Sequence, residues 1–499
     1  MQDLADKFKN ARKFGCPIVG IETPDMGATI SLLSSTVSNG DTPPVFVWDI
    51  INGMKAVNAE SLASIAKMNL NQESFGEQTL NPVEMLSFCL KLEPRSIVFM
   101  QNAHRFYDAE TICQAVFNIR DKFKQSRRTL VLLGPSLSLP VELDKDVIVF
   151  SENLPDDFTI GKIADDLYAV LGSTTKFPKV MREQTIRASR GLSAFAAEQS
   201  IALSLEKTGV NVDTLWSYKK AAVEQTRGLS FAGNDITFSD IGGLQAIKEF
   251  GSKLFSGPKP PALICWIDEI EKAVGGASGD TSGTSQDQLG VLLKNLEDTD
   301  SAGLIAVGPP GAGKSLLAKA LGATHHVPTL FVDLGSAKGS LVGQSETRIR
   351  DMMKKINAIA GQGGAFWIAT ANKLDVVPPE LRRRFRFGTW MFALPDAEER
   401  EQIWNLNLKR YGLEKKGYNR PADEFLTGAD IRSICELSWR LGVELEKAMT
   451  YISPIAISSP ESIENLYRAA DGRFLSASYG GLFRRNKAEV FEHGRQVSV

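Results

Sequence analysis

Two kinds of periodicity alternate along the chain. In the first half, short unbroken apolar runs (CPIVGIE, PPVFVWDI, RSIVFMQN and RTLVLLGPS) are separated by stretches of helical spacing. Runs apolar on both faces predict strands of a parallel sheet covered on both sides by helices. From about 157 to 205 the pattern becomes helical, with IADDLYAVLG and SAFAAEQSIALSLEK, and a connecting segment follows that holds the helix-like VDTLWSYKKAAVEQT and the turn-rich SFAGND. Strand and helix signals resume from 241 to the end, with a helical stretch at ADIRSICELSWRLGVELEKAM. The expected organisation is an α/β domain over 1–205, a linker over 206–239, an α/β domain over 240–395, and a helical lid with a C-terminal tail over 396–499.

The two halves echo each other in order. IVGIETPDMGAT (18–29) has the layout of IAVGPPGAGKS, with Glu22 at the place of its first glycine and Ala28 at the place of its lysine. VFVWD (45–49) echoes LFVD (330–333), and IVFMQN (97–102) echoes ICWIDE (264–269), with Gln101 and Asn102 in place of two acids. LVLLGPSLSLPVEL (130–143) echoes FWIATANKLDVVPPEL (366–381), and ENLPDD echoes FALPDA. Several landmarks in one order point to a duplication whose first copy has lost the lysine and both acids.

The second copy carries the chemistry. GPPGAGKS (308–315) fits G-x-x-x-x-G-K-[ST] between an apolar strand and the helix-forming LLAKAL. In such a loop the backbone N–H groups of Gly308, Pro309, Pro310, Gly311, Ala312, Gly313 and the first helical residues up to Leu316 surround phosphates wherever an N–H exists. Lys314 is placed to reach the β- and γ-phosphates of ATP and Ser315 to hold Mg²⁺. WIDE (266–269) ends a strand with Asp268, suited to the Mg²⁺ shell, and Glu269, suited to polarise an attacking water. IATAN (368–372) ends another strand with Asn372, which can orient that water or contact the γ-phosphate. The arginine cluster ELRRRFRF (380–387) fits a solvated face, a nucleic-acid contact, or a guanidinium supplied to a neighbouring subunit's nucleotide; its place just after the Asn372 strand favours the last.

Composition narrows the setting. Of 499 residues 43% are apolar and 23% charged, and the formal charge is −2, so nothing draws the chain to nucleic acid or an anionic membrane. No run of eighteen apolar residues and no signal-peptide core is present, which with unpaired cysteine spacing reads as cytoplasmic. Cys16, Cys89, Cys113, Cys265 and Cys435 form no CxxC pair and read as small apolar side chains.

These motifs resemble the AAA family of ATPases over roughly 236–455. By that resemblance DIGGLQAIKE (240–249) places Asp240, Ile241 and Gly242 at the adenine, and TGADIRSI (427–434) closes Gly428 and Ala429 over ribose and base. It makes Arg383 and Arg386 the candidate fingers, although Phe385 stands where the family has a glycine. It makes SLVGQSE (340–346) a central-pore loop, with Leu341 where many relatives carry an aromatic residue. PALICWIDEIEKA and PPELRRRFRF, behind a degenerate AAA half, are most similar to the tandem rubisco-activase-related group of chloroplast and cyanobacterial reading frames. The resemblance implies a P-loop α/β fold with a helical lid, Mg²⁺ and ATP as cofactors, a homo-oligomeric ring of hexamer type, and an unidentified protein partner that is remodelled. A nucleotide-gated binding module with little turnover is the alternative, and a nucleic-acid motor has little support.

One departure stands out. Relatives place the acid strand after the phosphate loop, whereas here it comes about forty residues earlier. Moving 302–360 ahead of 261–301 restores the usual order at every junction, so the chain reads as a transposition of two βα blocks. Both blocks enter the sheet from the same edge, and the site is expected to assemble.

Overall fold

A computed structural model describes residues 2–37, 42–170, 177–206, 209–233, 235–274, 290, 292–297, 299, 302–336, 344–373 and 379–485. Two compact units divide the chain, Met1–Pro155 with Ser193–Ala196, and Asp156–Leu192 with Ala197–Val499. Both contain mixed α/β structure around a largely parallel sheet.

The first unit contains β1 (Ile18–Glu22), β2 (Val45–Asp49), β3 (Gly53–Ala56), β4 (Ile97–Met100), β5 (Thr129–Gly134) and β6 (Ile148–Ser151). Their order across the sheet is β3-β2-β4-β5-β1-β6. Only β3 is antiparallel, as the return of a hairpin from β2. Alternate residues of each apolar run serve opposite faces, as the pleat requires. Val19, Ile21, Phe99, Val131 and Leu133 pack with Phe8 and Leu33 of two helices on one face. Ile18, Phe46, Trp48, Val98, Leu130 and Leu132 pack with Phe75, Met85, Val116 and Phe123 on the other.

The second unit begins with helices Asp157–Val170 and Lys179–Ser189, a two-stranded ribbon β7 (Leu205–Glu206) and β8 (Gly209–Val210), and the helix Val212–Glu224. The main sheet follows, built from β9 (Leu229–Phe231), β10 (Leu263–Ile267), β11 (Ala302–Val307), β12 (Thr329–Val332), β13 (Ala365–Ala371), β14 (Thr389–Met391) and β15 (Leu475–Ser476). Its order is β15-β14-β11-β13-β10-β12-β9. The segment 206–239, read from sequence as a connection, supplies β9 as an edge strand antiparallel to β12. The tail supplies the opposite edge through β15, and Phe483 beyond it is 5% exposed. That part of the tail is therefore packed structure, and residues 486–499 lie outside the described residues.

The five echoed segments hold equivalent sheet positions. β2-β4-β5-β1-β6 in one unit matches β12-β10-β13-β11-β14 in the other. In the first unit the chain visits these positions with the loop-like strand β1 first; in the second it visits the acid strand β10 before the loop strand β11. In both units the strand echoing IATAN lies between the loop strand and the acid strand. The connection Ser256–Ala262 delivers the chain to β10, and the Ala262 N–H bonds to the Gly364 carbonyl 3.1 Å away at the start of β13.

Three further helices, Ala397–Arg410, Gly428–Leu441 and Leu445–Met449, form a small separate core around Trp404, Ile431, Ile434, Cys435 and Leu445. The long helical stretch expected there breaks at Gly442, whose φ of +67° ends the helix in the left-handed region. Cys89, Cys113, Cys265 and Cys435 are buried and all five cysteines are free.

A close backbone approach within the second sheet occurs at Gly303 of β11. A Cβ there would lie 2.5 Å from the Trp367 carbonyl oxygen and 2.9 Å from Phe385. Gly303→Ala is expected to force β11 from β13 and to destabilise the unit by about 1–3 kcal/mol, read by denaturant unfolding; Gly480→Ala, in open space and without a left-handed φ, is the control for the loss of a glycine alone.

Candidate active site

The site lies at the carboxyl ends of β11, β13 and β10, where open parallel sheets bind ligands. Three adjacent strands bring residues from three sequence segments together through the pairs Ile305–Ala369 and Ile267–Ala369. Beyond β11 the chain turns through Gly311 (φ +83°) and Gly313 (φ +91°) into the helix Lys314–His325. A Cβ on Gly311 would meet the Thr427 hydroxyl at 2.6 Å, so the loop and the start of the helix Gly428–Leu441 approach at backbone distance. The Ala429 N–H also bonds to the Gly311 carbonyl at 3.3 Å.

Lys314 is only 7% exposed. Its Nζ donates to the carbonyls of Gly308 (2.7 Å) and Pro309 (2.8 Å) and to Asn372 Oδ1 (3.0 Å). Burial lowers its pKa from the usual 10.5 to about 8, while Glu271, Asp268 and Glu269 act to raise it. Ser315 Oγ donates to Asp268 Oδ1 at 2.7 Å. Thr370 Oγ1 donates to the same oxygen at 2.6 Å and accepts the Glu269 N–H at 2.9 Å. Asn372 Nδ2 donates to Glu269 Oε1 at 3.1 Å, and the Asn372 N–H donates to Glu271 Oε1 at 2.8 Å. Glu269 Oε2 pairs with Lys272 on the next turn.

Glu269 has φ +48°, a left-handed conformation that costs a non-glycine residue about 1–3 kcal/mol. Asn102, its echo in the first unit, has φ +53°. The turn is thus kept in both copies, and in the first it is filled by a residue type that tolerates it. The first copy differs at the loop itself. Only Thr23, Pro24 and Asp25 separate β1 from the helix Met26–Val37, against six residues, 308–313, in the second. The start of the helix Met26–Val37 is bonded by the chain's own side chains: Asp25 Oδ1 accepts the Ala28 N–H (3.0 Å), and Thr29 Oγ1 donates to Glu152 Oε2 (2.8 Å).

A cavity of about 400 Å³ adjoins the second-copy loop. Of the residues expected from sequence, Asp240, Ile241, Gly242, Asp268, Glu269, Pro310, Gly311, Ala312, Gly313, Lys314, Ser315, Leu316, Asn372, Gly428 and Ala429 line it. Gly308 and Pro309 do not line it but hold Lys314 through their carbonyls. Arg383 and Arg386 are exposed and stand outside the lining, in and just after the short helix Pro379–Arg384. Phe385 is buried against Gly303, which explains an aromatic residue within the arginine run. The loop 340–343, with Leu341, lies outside the described residues.

Sequence reasoning missed Thr370, Ile403, Leu406, Asn407, Arg410 and Arg432, all of which line the cavity. Ile403, Leu406, Asn407 and Arg410 share one face of the helix Ala397–Arg410 at i, i+3, i+4 and i+7 spacing, which was available as a signal. Arg410 stands 3.9 Å from Asp240, tying this helix to the segment expected at the base.

Both halves of the chain are similar to known proteins. Residues 4–151 match the SpoVK-like AAA ATPase N-terminal domain, and residues 304–362 match the ATPase family associated with various cellular activities (AAA). The chain is 23% identical to the AAA domain-containing protein ycf46 of Guillardia theta over 92% of its own length and 93% of the relative's. It is 25% identical to ycf46 of Gracilaria tenuistipitata var. liui over 66% and 70% of the two chains. To the ATP-dependent zinc metalloprotease FtsH of Buchnera aphidicola subsp. Baizongia pistaciae it is 30% identical over 36% and 32%. The second unit has the α/β fold of AAA-type P-loop domains, and these matches support a nucleotide-binding P-loop. No helix among the described residues is long and apolar enough to cross a membrane.

The buried lysine gives a pH signature. Its folded pKa of about 8 lies below the unfolded 10.5, so the folded state bears an unfavourable buried charge below pH 8 that is relieved as pH rises to 10.5. Lys314→Met is expected to gain stability over the wild type at pH 7, and this gain shrinks by about 2–3 kcal/mol across that window. Paired denaturation curves of the nucleotide-free proteins measure it.

Proposed function

We propose that this chain hydrolyses ATP with Mg²⁺ in an oligomer and uses the cycle to remodel a protein partner. The observation that carries the proposal is one hydrogen-bonded group in which Lys314, Ser315, Asp268, Glu269 and Asn372 meet beside the cavity. Ser315 and Asp268 offer the hard oxygen donors that suit Mg²⁺, which takes few protein ligands and completes its shell with phosphate oxygens and water. When bound, the ion neutralises charge developing on the β- and γ-phosphates.

This chain's own groups do the rest. Asp240, Ile241 and Gly242 bind the base, and Gly428 and Ala429 close over the ribose. Lys314 exchanges the Gly308 and Pro309 carbonyls for phosphate oxygens, an exchange that favours its protonated form. Glu269 exchanges Lys272 or Asn372 for the attacking water and accepts its proton, while Asn372 orients that water. The exposed Arg383 and Arg386 reach the nucleotide of a neighbouring subunit. The first unit, with a three-residue turn in place of a phosphate loop, serves assembly or partner binding and holds no nucleotide.

The block order is best described as a transposition. Equal sheet positions in the two units, visited in different chain order, support this. So does an AAA match that starts at 304 and ends at 362, behind the acid strand. Similarity to the ycf46 proteins across both halves supports placement with tandem AAA proteins of the rubisco-activase-related kind.

Steady-state ATP turnover against protein concentration tests the proposal. Activity per subunit should rise with concentration, fall at least about 100-fold in Glu269→Gln, and fall about 10³-fold when Arg383 and Arg386 are both changed to Ala. Turnover equal to that of Glu269→Gln at every concentration would refute it, and ATP-dependent assembly without turnover would favour a nucleotide-gated binding module instead.

A further inference from the structure

Thr370 belongs to neither the phosphate loop nor the acid pair, yet its one hydroxyl touches both acids. It sits near the end of β13 with no exposed surface, one residue past the Ile267–Ala369 pair and therefore level with Asp268. A threonine hydroxyl has one proton to give and lone pairs to accept with. Here the proton goes to Asp268 Oδ1 (2.6 Å) and a lone pair takes the Glu269 N–H (2.9 Å). A carboxylate can only accept and an N–H can only donate, so the hydroxyl has a single orientation that satisfies both.

We propose that Thr370 is a positioning residue that sets both carboxylates through one hydroxyl: it orients the side chain of Asp268 and fixes the main chain of Glu269. The proposal rests on the ATPase reading above. With Ser315 and Thr370 both donating to Oδ1, Asp268 is held from the start of the helix Lys314–His325 and from β13, and its Oδ2 accepts from neither of them. The Glu269 N–H is thereby anchored at a non-glycine residue whose backbone is left-handed (φ +48°). The first unit provides an internal comparison. Met100 pairs with Leu132 there as Ile267 pairs with Ala369 here, so Leu133 holds the position of Thr370. The copy with Gln101 and Asn102 in place of the acids thus also has a side chain with no hydroxyl.

The test compares the full-length wild type with Thr370→Val, which keeps shape and removes the hydroxyl, and Thr370→Ser, which keeps the hydroxyl. Two quantities are read: kcat and KM for ATP, and the Mg²⁺ concentration that half-saturates the change in binding of a fluorescent ADP analogue. Thr370→Val should lower kcat and raise the half-saturating Mg²⁺ each about 10- to 100-fold, as loss of an outer-shell partner does. Its KM and its analogue binding in EDTA should stay within about threefold of wild type. Thr370→Ser should restore both affected quantities to within about threefold. Thr370→Val matching wild type in both, or Thr370→Ser as impaired as Thr370→Val, would overturn the assignment. If the valine protein fails to fold, the serine protein decides alone: near-wild-type values uphold the hydroxyl's role, and values reduced tenfold overturn it. If the wild type shows no turnover that depends on Glu269, the ATPase reading fails separately, and the Mg²⁺ titration of bound analogue still decides for or against Thr370.

Discussion

The whole site depends on one carboxylate oxygen, Asp268 Oδ1, accepting from Ser315 behind β11 and Thr370 on β13 while its own residue ends β10. Neighbouring strands in a sheet lie about 4.8 Å apart, so this three-way meeting is possible only with β13 in the middle and the strands in register. The pairs Ile267–Ala369 and Val307–Ala371 set that register. Nothing in the constraint refers to chain order. A P-loop site needs the right strands side by side with their carboxyl ends together, and the connections need only reach.

That separation of adjacency from sequence order explains what could be read from the chain. The phosphate loop was legible because close backbone approach and phosphate chemistry demand glycines, a lysine and a hydroxyl at short fixed spacing. The two acids were legible chiefly in company with that loop, since a strand that ends in carboxylates is common by itself. Five strands of the first sheet carried echoes in the second, and all five fall at equivalent positions. The edges were not legible: β3, β9 and β15 have two to four residues, too few for a period of two to show, and β9 and β15 are specified by the strand each pairs with. Ile403, Asn407 and Arg410 were missed for another reason. Their stripe overlaps the face that buries Trp404, and Ile403 packs against that core as well as lining the cavity, so the spacing reads first as ordinary helix packing. Thr370 was hidden inside an apolar strand, where a β-branched hydroxyl reads as ordinary packing.

The lysine illustrates how a buried charge is accommodated. An ammonium group 7% exposed would be prohibitive without acceptors. The Gly308 and Pro309 carbonyls and the Asn372 amide supply three, one for each proton. These neutral partners stabilise the charge less than anionic phosphate oxygens do. Burial is what lowers the lysine's pKa to about 8, against the raising effect of Glu271, Asp268 and Glu269.

The two units together separate what a turn requires from what a reaction requires. Both hold a left-handed residue directly after the acid-strand position, Asn102 in one and Glu269 in the other. Geometry alone therefore asks for the turn, and asparagine is the cheaper residue for it. Glutamate is kept in the second unit at a conformational cost, in the copy that also has the six-residue loop, Lys314 and the hydroxyl of Thr370. In the first unit the three-residue turn lets Thr29 bond to Glu152 and Asp25 cap its own helix. A carboxylate beside the start of that helix already supplies the negative charge a helix N-terminus favours. The first unit thus differs from the second in more than the lysine: Asp25 and Glu152 both bond within the first turn of its helix, where negative charge is favoured by the helix dipole and stabilises the fold.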